Sequence, residues 1–244
     1  MKKAIVIGAS SGLGREVARL LLDRGWKLGV AARRLEPLEE LRQLAPERIE
    51  VQSIDVTAHN APQALQELIT RVGGIDLLFY ASGVGSQNMT LEPSIELNTM
   101  EVNALGFTRI IGETYRYMAS HGGGHIAAIS SIAATKGLGS APAYSATKAL
   151  QGTYLQALEQ QSRMRGLNIT FTDLRPGFVA TPLLGDNPGY PMLLDAKRVA
   201  REMVNAVNRR KHLHVIDWRW RVVTAMWRRV PRWLWRRFTF LKTK

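Results

Sequence analysis

The chain has 244 residues, 45% of them hydrophobic, enough to bury one sizeable core without being divided. It has no cysteine, which excludes disulfides, thiolate nucleophiles and cysteine-ligated metals and fits a reducing, cytoplasmic setting. The formal charge of +13 is unevenly spread: nine basic residues and no acidic one follow Trp218, and removing these nine leaves +4 for residues 1–217.

Five of the six tryptophans share that last segment, so composition separates residues 1–217 from a basic, tryptophan-rich tail over 218–244. The start, Met1-Lys2-Lys3 before a short apolar run, is interrupted too soon by Gly8 and Ser10 for a signal-peptide core and reads as a first strand. Before the tail, apolar runs of strand length alternate with helical patterns, the signature of βαβ units and a parallel sheet.

The first strand spans Lys3 to Ile7, and the next helix runs from Leu13 to Arg24, with Val17, Leu20 and Leu21 at core spacing and Gly25 as its stop. A second strand, Lys27 to Ala32, leads to a charged helix from Leu35 to Leu44 and a third strand from Ile49 to Ile54. Pro62 marks the first turn of a helix ending at Gly73-Gly74. Ile75 to Tyr80 is a fourth strand, apolar throughout, as a strand covered on both faces should be. One long helix from Ile95 to Ser120 ends at Gly122-Gly123-Gly124 before a fifth strand, His125 to Ser130. The helix carrying Tyr144 extends to Arg165, and Asn168 to Leu174 is the sixth strand. A short helix near Asp195 to Val207 precedes a seventh strand at Leu213 to Asp217. The expected architecture is α/β: a Rossmann-type, doubly wound sheet of seven parallel strands flanked by helices.

Between the first strand and first helix stands Gly8-Ala9-Ser10-Ser11-Gly12-Leu13-Gly14. Glycines there permit a tight turn and let backbone N–H groups approach a pyrophosphate at the helix N-terminus. Tyr144 and Lys148, four apart, share a helix face, so the ammonium can favour the ionised phenol and fit Tyr144 to acid/base work.

With the spacing Gly-x-x-x-Gly-x-Gly, residues 1–217 resemble the short-chain dehydrogenase/reductase family. Matching residues follow in the family's order. Asp55-Val56 comes where an aspartate meets the adenine, then Asn103, Ser131 and Tyr144-x-x-x-Lys148, then Pro176-Gly177 leading through Val179 to Thr181, where the family contacts the nicotinamide amide. The resemblance implies an oxidoreductase moving hydride between nicotinamide and a carbonyl or secondary alcohol. It gives Tyr144 the proton exchange with the carbonyl oxygen, its pKa lowered by Lys148 and the positive oxidised nicotinamide. Ser131 would hydrogen-bond the same oxygen, and Asn103 would hold a water connecting Lys148 to solvent.

Two positions depart from the family together. Ile7 stands for its threonine, and Tyr80-Ala81-Ser82-Gly83 for its Asn-Asn-Ala-Gly, which that threonine helps to tether. Losing both ends points to a repacked support beneath the adenosine ribose, with Ala81, Ser82 and Gly83 still beside the cofactor.

At the end of the second strand, Val30-Ala31-Ala32-Arg33-Arg34 lacks the acid that would bind the 2′-hydroxyl of NAD. NADP(H) is therefore expected, with Arg33 and Arg34 at the 2′-phosphate and Ser10 assisting, and NAD(H) ranks second. No metal is expected, since His212 and His214 form an edge-strand pair without further ligands and His121 and His125, flanking glycines, read as loop residues. Leu183, Leu184, Tyr190 and Met192 suggest an apolar substrate lid. By resemblance the chain forms a homodimer or homotetramer through the Ile95 and Tyr144 helices.

In the tail, Trp220, Val223, Met226, Trp227 and Val230 recur at helical spacing with arginines opposite, and Pro231 starts a second helix carrying Leu234, Phe238 and Leu241. The first reading is a helix lying on an anionic membrane surface, which gives a cytoplasmic protein peripheral on the inner face of a membrane. Docking onto its own domain or a sister subunit ranks second, and nucleic acid last. A non-catalytic, cofactor-binding regulator or scaffold that works through the tail is the rival function.

Overall fold

The computed structural model describes residues 1–185 and 189–238; Leu241, expected in the tail's second helix, lies outside them. Seven parallel strands form one sheet in the order β3-β2-β1-β4-β5-β6-β7. They are β1 (Lys3–Ile7), β2 (Lys27–Ala32), β3 (Ile49–Ser53), β4 (Leu77–Tyr80), β5 (Gly124–Ile129), β6 (Ile169–Arg175) and β7 (Leu213–Val215). Each crossover returns the chain to the same end of the sheet, so every strand pair is parallel, and the winding direction reverses between β1 and β4. The reversal sends the flanking connections apart and opens a crevice beyond the strand C-termini.

Two apolar layers hold the helices to the sheet. On one face α1 (Gly12–Asp23), α2 (Glu36–Gln43) and α7 (Ala196–Asn208) bury Val17, Leu21, Leu38, Val199 and Met203. On the other, α3 (Ala61–Val72), α5 (Phe107–Ser120) and α6 (Pro142–Met164) bury Leu65, Leu68, Ile110, Ile111 and Leu155. The departures at Ile7 and Tyr80 meet here, because the two residues are register partners across β1 and β4 and share the second layer. Tyr80 also packs edge-on to Phe107, ring centroids 5.1 Å apart, so an apolar contact stands where a tether was lost.

The single long helix expected over Ile95 to Ser120 is instead α4 (Pro93–Met100), a π-helical turn (Glu101–Gly106) and α5. The cause is tertiary: Asn103 is fully buried, and its side chain accepts from Val84 N at 2.9 Å and donates to Val84 O at 2.7 Å. Holding the loop after β4 in this way widens the turn, as at many functional sites. The last strand ends at Val215 rather than Asp217, which caps α8 (Trp218–Arg229) by accepting from Arg219 N at 2.9 Å. His212 pairs with Glu159 and buried His214 with Glu202, so the two are not a shared ligand set.

Among the described residues no helix is long and apolar enough to cross a membrane. Helix α8 lies on the domain, with Trp220 buried, and is followed by α9 (Arg232–Trp235). Trp235 Nε1 donates to Gly137 O at 2.8 Å and Lys136 Nζ to Val230 O at 3.0 Å, which ties the tail to the loop between Ser131 and Tyr144.

Candidate active site

The crevice is a cleft of about 1060 Å³ that runs from β2 to the tail. At one end the loop after β1 delivers the chain into α1 with no side chain capping the helix and no acid in its first turn. Its N-terminal amides are thus open to an anion. Gly14 is required here, because a Cβ would run into the carbonyl of Gly8. Gly8, Ser10, Ser11, Gly12 and Leu13 line the same end.

Arg33 and Arg34 stand exposed beyond β2 on this wall, and among the described residues no ion pair engages either guanidinium. Asp55 and Val56 line the cleft after β3. Hydrogen bonds from the Thr57 backbone and hydroxyl hold the Asp55 carboxyl below its usual range, with nearby Arg33 helping. Ala81, Ser82 and Gly83 follow β4 into the middle of the cleft, and Pro176, Gly177, Val179 and Thr181 follow β6 into it. An anionic, two-nucleotide cofactor fits this donor set: helix amides, two exposed guanidinia and a glycine cradle.

Ser131, Tyr144 and Lys148 meet at the centre of the cleft. Ser131 leaves β5 in an extended conformation and caps a short 3₁₀ turn, its hydroxyl accepting from Ala133 N at 3.1 Å. Proline in the first turn of α6 starts the helix, so Tyr144 and Lys148 follow on one face with the Lys148 ammonium 5.7 Å from the Tyr144 ring centroid. Lys148 is 4% exposed, and its Nζ donates to Ile129 O at 3.0 Å and Gln151 Oε1 at 3.1 Å.

Burial pulls Lys148 down to about 8, with Asp173 acting against it. Burial also pushes the Tyr144 hydroxyl up, opposed by a hydrogen bond with Ser131. The expected lowering of Tyr144 by Lys148 is therefore not seen in the protein alone, because desolvation of the phenol outweighs its neighbours.

Among the expected site residues, only Asn103 does not line the cleft; it lies beneath, braced on Val84, which does. Its backbone carbonyl accepts from Gln151 Nε2 at 2.8 Å. Sequence reasoning missed Gln151, although its place on the buried face of α6 below Tyr144 and Lys148 was a visible signal. Docking of the tail onto its own domain, ranked second from the sequence, is what its apolar face does: Trp220, Val223 and Trp227 wall the cleft. Trp220 stands edge-on to Phe178 with centroids 5.6 Å apart, and Phe178 stacks on Tyr190 at 4.6 Å. Leu183, Leu184 and Met192 complete that apolar end.

The short chain dehydrogenase family profile matches residues 2–188. An uncharacterized oxidoreductase of Myxococcus xanthus is 34% identical over 197 residues, covering 78% of this chain and 77% of its own. Among solved structures, a short-chain dehydrogenase from Streptomyces avermitilis covers 93% of this chain and 92% of its own with a TM-score of 0.80 at 24% identity. An alcohol dehydrogenase from the archaeon Thermococcus sibiricus, complexed with 5-hydroxy-NADP, covers 88% and 96% with a TM-score of 0.76 at 23% identity. The structural matches establish the fold and the sequence matches the lineage: the chain belongs to the short-chain dehydrogenase family of oxidoreductases.

Proposed function

We propose that the protein is an NADP(H)-dependent carbonyl reductase or alcohol dehydrogenase acting on a lipophilic ketone, acyl carbonyl or alcohol at a membrane surface. The observation that carries this reading is the meeting of Ser131, Tyr144 and Lys148 in a cleft with exposed arginines at one end and an aromatic wall at the other. The α1 amides with Ser10 and Ser11 hold the pyrophosphate, Arg33 and Arg34 the 2′-phosphate, and Asp55-Val56 the adenine. Ala81 to Gly83 flank the ribose, while Pro176, Gly177, Val179 and Thr181 hold the carboxamide. The 5-hydroxy-NADP complex of the Thermococcus relative supports the choice of a phosphorylated cofactor.

A bound nicotinamide supplies or accepts the hydride. In reduction Tyr144 gives its proton to the carbonyl oxygen, and in oxidation it takes the proton from the alcohol. Ser131 hydrogen-bonds the same oxygen and stabilises the charge that develops there. Lys148 keeps positive charge beside the phenol. The wall of Phe178, Tyr190, Trp220 and Trp227 excludes water and selects apolar substrate.

Residues 1–217 form the catalytic unit, and the tail has two jobs. Its inner face closes the cleft, while its outer face exposes Trp218, Val222, Met226 and Trp233 among arginines. That combination suits an anionic bilayer and a peripheral, cytoplasmic-side location. Exposed Leu97, Leu105 and Leu150, on α4, the π turn and α6, supply apolar surface for a homodimer or homotetramer.

Equilibrium binding of NADPH and NADH tests the cofactor. Wild type binds NADPH more tightly, and Arg33→Ala weakens NADPH by about tenfold or more, the size of a lost charge-assisted hydrogen bond, while sparing NADH. Tighter NADH binding by wild type overturns the assignment.

A further inference from the structure

Gln151 is fully buried on the face of α6 that carries Tyr144 and Lys148. A buried amide is costly unless both its ends are bonded. Here Oε1 accepts from Lys148 Nζ at 3.1 Å while Nε2 donates to the Asn103 carbonyl at 2.8 Å. The side chain therefore spans the gap between the ammonium and the π-helical turn, where the family resemblance called for water.

We propose that Gln151 is a positioning residue: its amide clamps the Lys148 ammonium to the backbone of the π-helical turn and fills, with a fixed group, the route from Lys148 toward Asn103. A neutral amide accepts at one end and donates at the other without passing protons along its length, as a water can. Gln151 itself therefore passes no proton from Lys148 to Asn103. The consequence for turnover rests on the oxidoreductase reading; the clamp itself does not.

Other groups face the same ammonium. Tyr144 lies on its own helix, the Ile129 carbonyl on β5, and Asp173 on β6, where Ser130 and Arg175 hold its carboxylate. Burial lowers Lys148 and Asp173 opposes it. Gln151 Oε1 adds a second restraint, because an acceptor on the charged form favours that form.

The test is NMR titration of the Lys148 side chain, identified by its loss in Lys148→Arg, in the protein without added cofactor. Wild type should titrate near 8. Gln151→Leu keeps the volume and removes the acceptor, so its midpoint falls by about one pH unit. Gln151→Glu puts a carboxylate beside the ammonium, so its midpoint rises. Opposite shifts support the clamp; an unchanged midpoint in Gln151→Leu, or shifts of both variants in one direction, overturns it. With NADPH and a ketone, the alkaline limb of kcat should follow the NMR midpoints. If the midpoints shift as stated and wild type shows no turnover, the clamp stands and the catalytic reading falls.

Discussion

Gly177→Ala probes how the tail is built into the cleft. A Cβ at this position would lie 2.5 Å from Cδ1 of Trp220 and closer still to its Nε1 and Cε2. Non-bonded carbons prefer roughly 3.5–4.0 Å, so one partner must move. Trp220 is 3% exposed and held edge-on by Phe178, so the indole cannot slide away without dragging α8. Overpacking of this kind costs about 1–3 kcal/mol, and each kcal/mol lowers Tm by about 2–4 °C in a chain of this size. Trp220→Ala should itself cost about 3–5 kcal/mol for the lost packing. Part of that, about 1–3 kcal/mol, is returned because the buried Nε1 has no hydrogen-bond partner among the described residues. In the double variant the clash has no indole to act on, so it should be no less stable than Trp220→Ala alone. Urea unfolding of all four proteins gives the coupling energy, which should roughly equal the whole cost of Gly177→Ala. A Gly177→Ala protein as stable as wild type, or the same penalty in both backgrounds, would refute the docking of α8 on this turn.

Burial holds His125 at about 4, below its ordinary 6.5, with Arg210 adding to the effect. The folded value is depressed, so the unfolded chain takes the proton first, and stability present above 6.5 declines as pH falls toward 4. His125→Asn should flatten that part of a stability-against-pH curve; an unaltered slope would show that His125 does not carry it. The outer face of the tail is tested by flotation on anionic vesicles. Replacing Trp218, Met226 and Trp233 by serine should reduce flotation severalfold while leaving the buried face of α8 intact. Equal flotation of variant and wild type would remove the membrane from the account.

The sheet was legible because its signals are local. Alternating apolar runs and helical patterns, with glycines at the turns, put all seven strands within two residues of their places. The cleft-lining residues were legible for a related reason: most follow a strand end, Tyr144 and Lys148 sit on the helix that comes after β5, and the fold brings strand ends together. The π turn was not legible, since the pattern over Ile95 to Ser120 runs on without a proline. What widens the helix is Asn103 bonding to Val84 from another loop. Gln151 was half legible: its helix face could be read, but its partner carbonyl lies 48 residues away. In the tail, composition revealed two unlike faces. Which face turns inward depends on a cleft built from distant elements and on a glycine, Gly177, that leaves room for an indole.

NADPH consumption by wild type and Tyr144→Phe across apolar ketones, with cofactor binding measured alongside, tests the central claim most directly. Loss of the phenolic proton donor should cut kcat by about 10²–10⁴-fold and leave the NADPH Kd nearly unchanged. Turnover retained by Tyr144→Phe, or no NADPH oxidation by wild type with any ketone, would contradict the account.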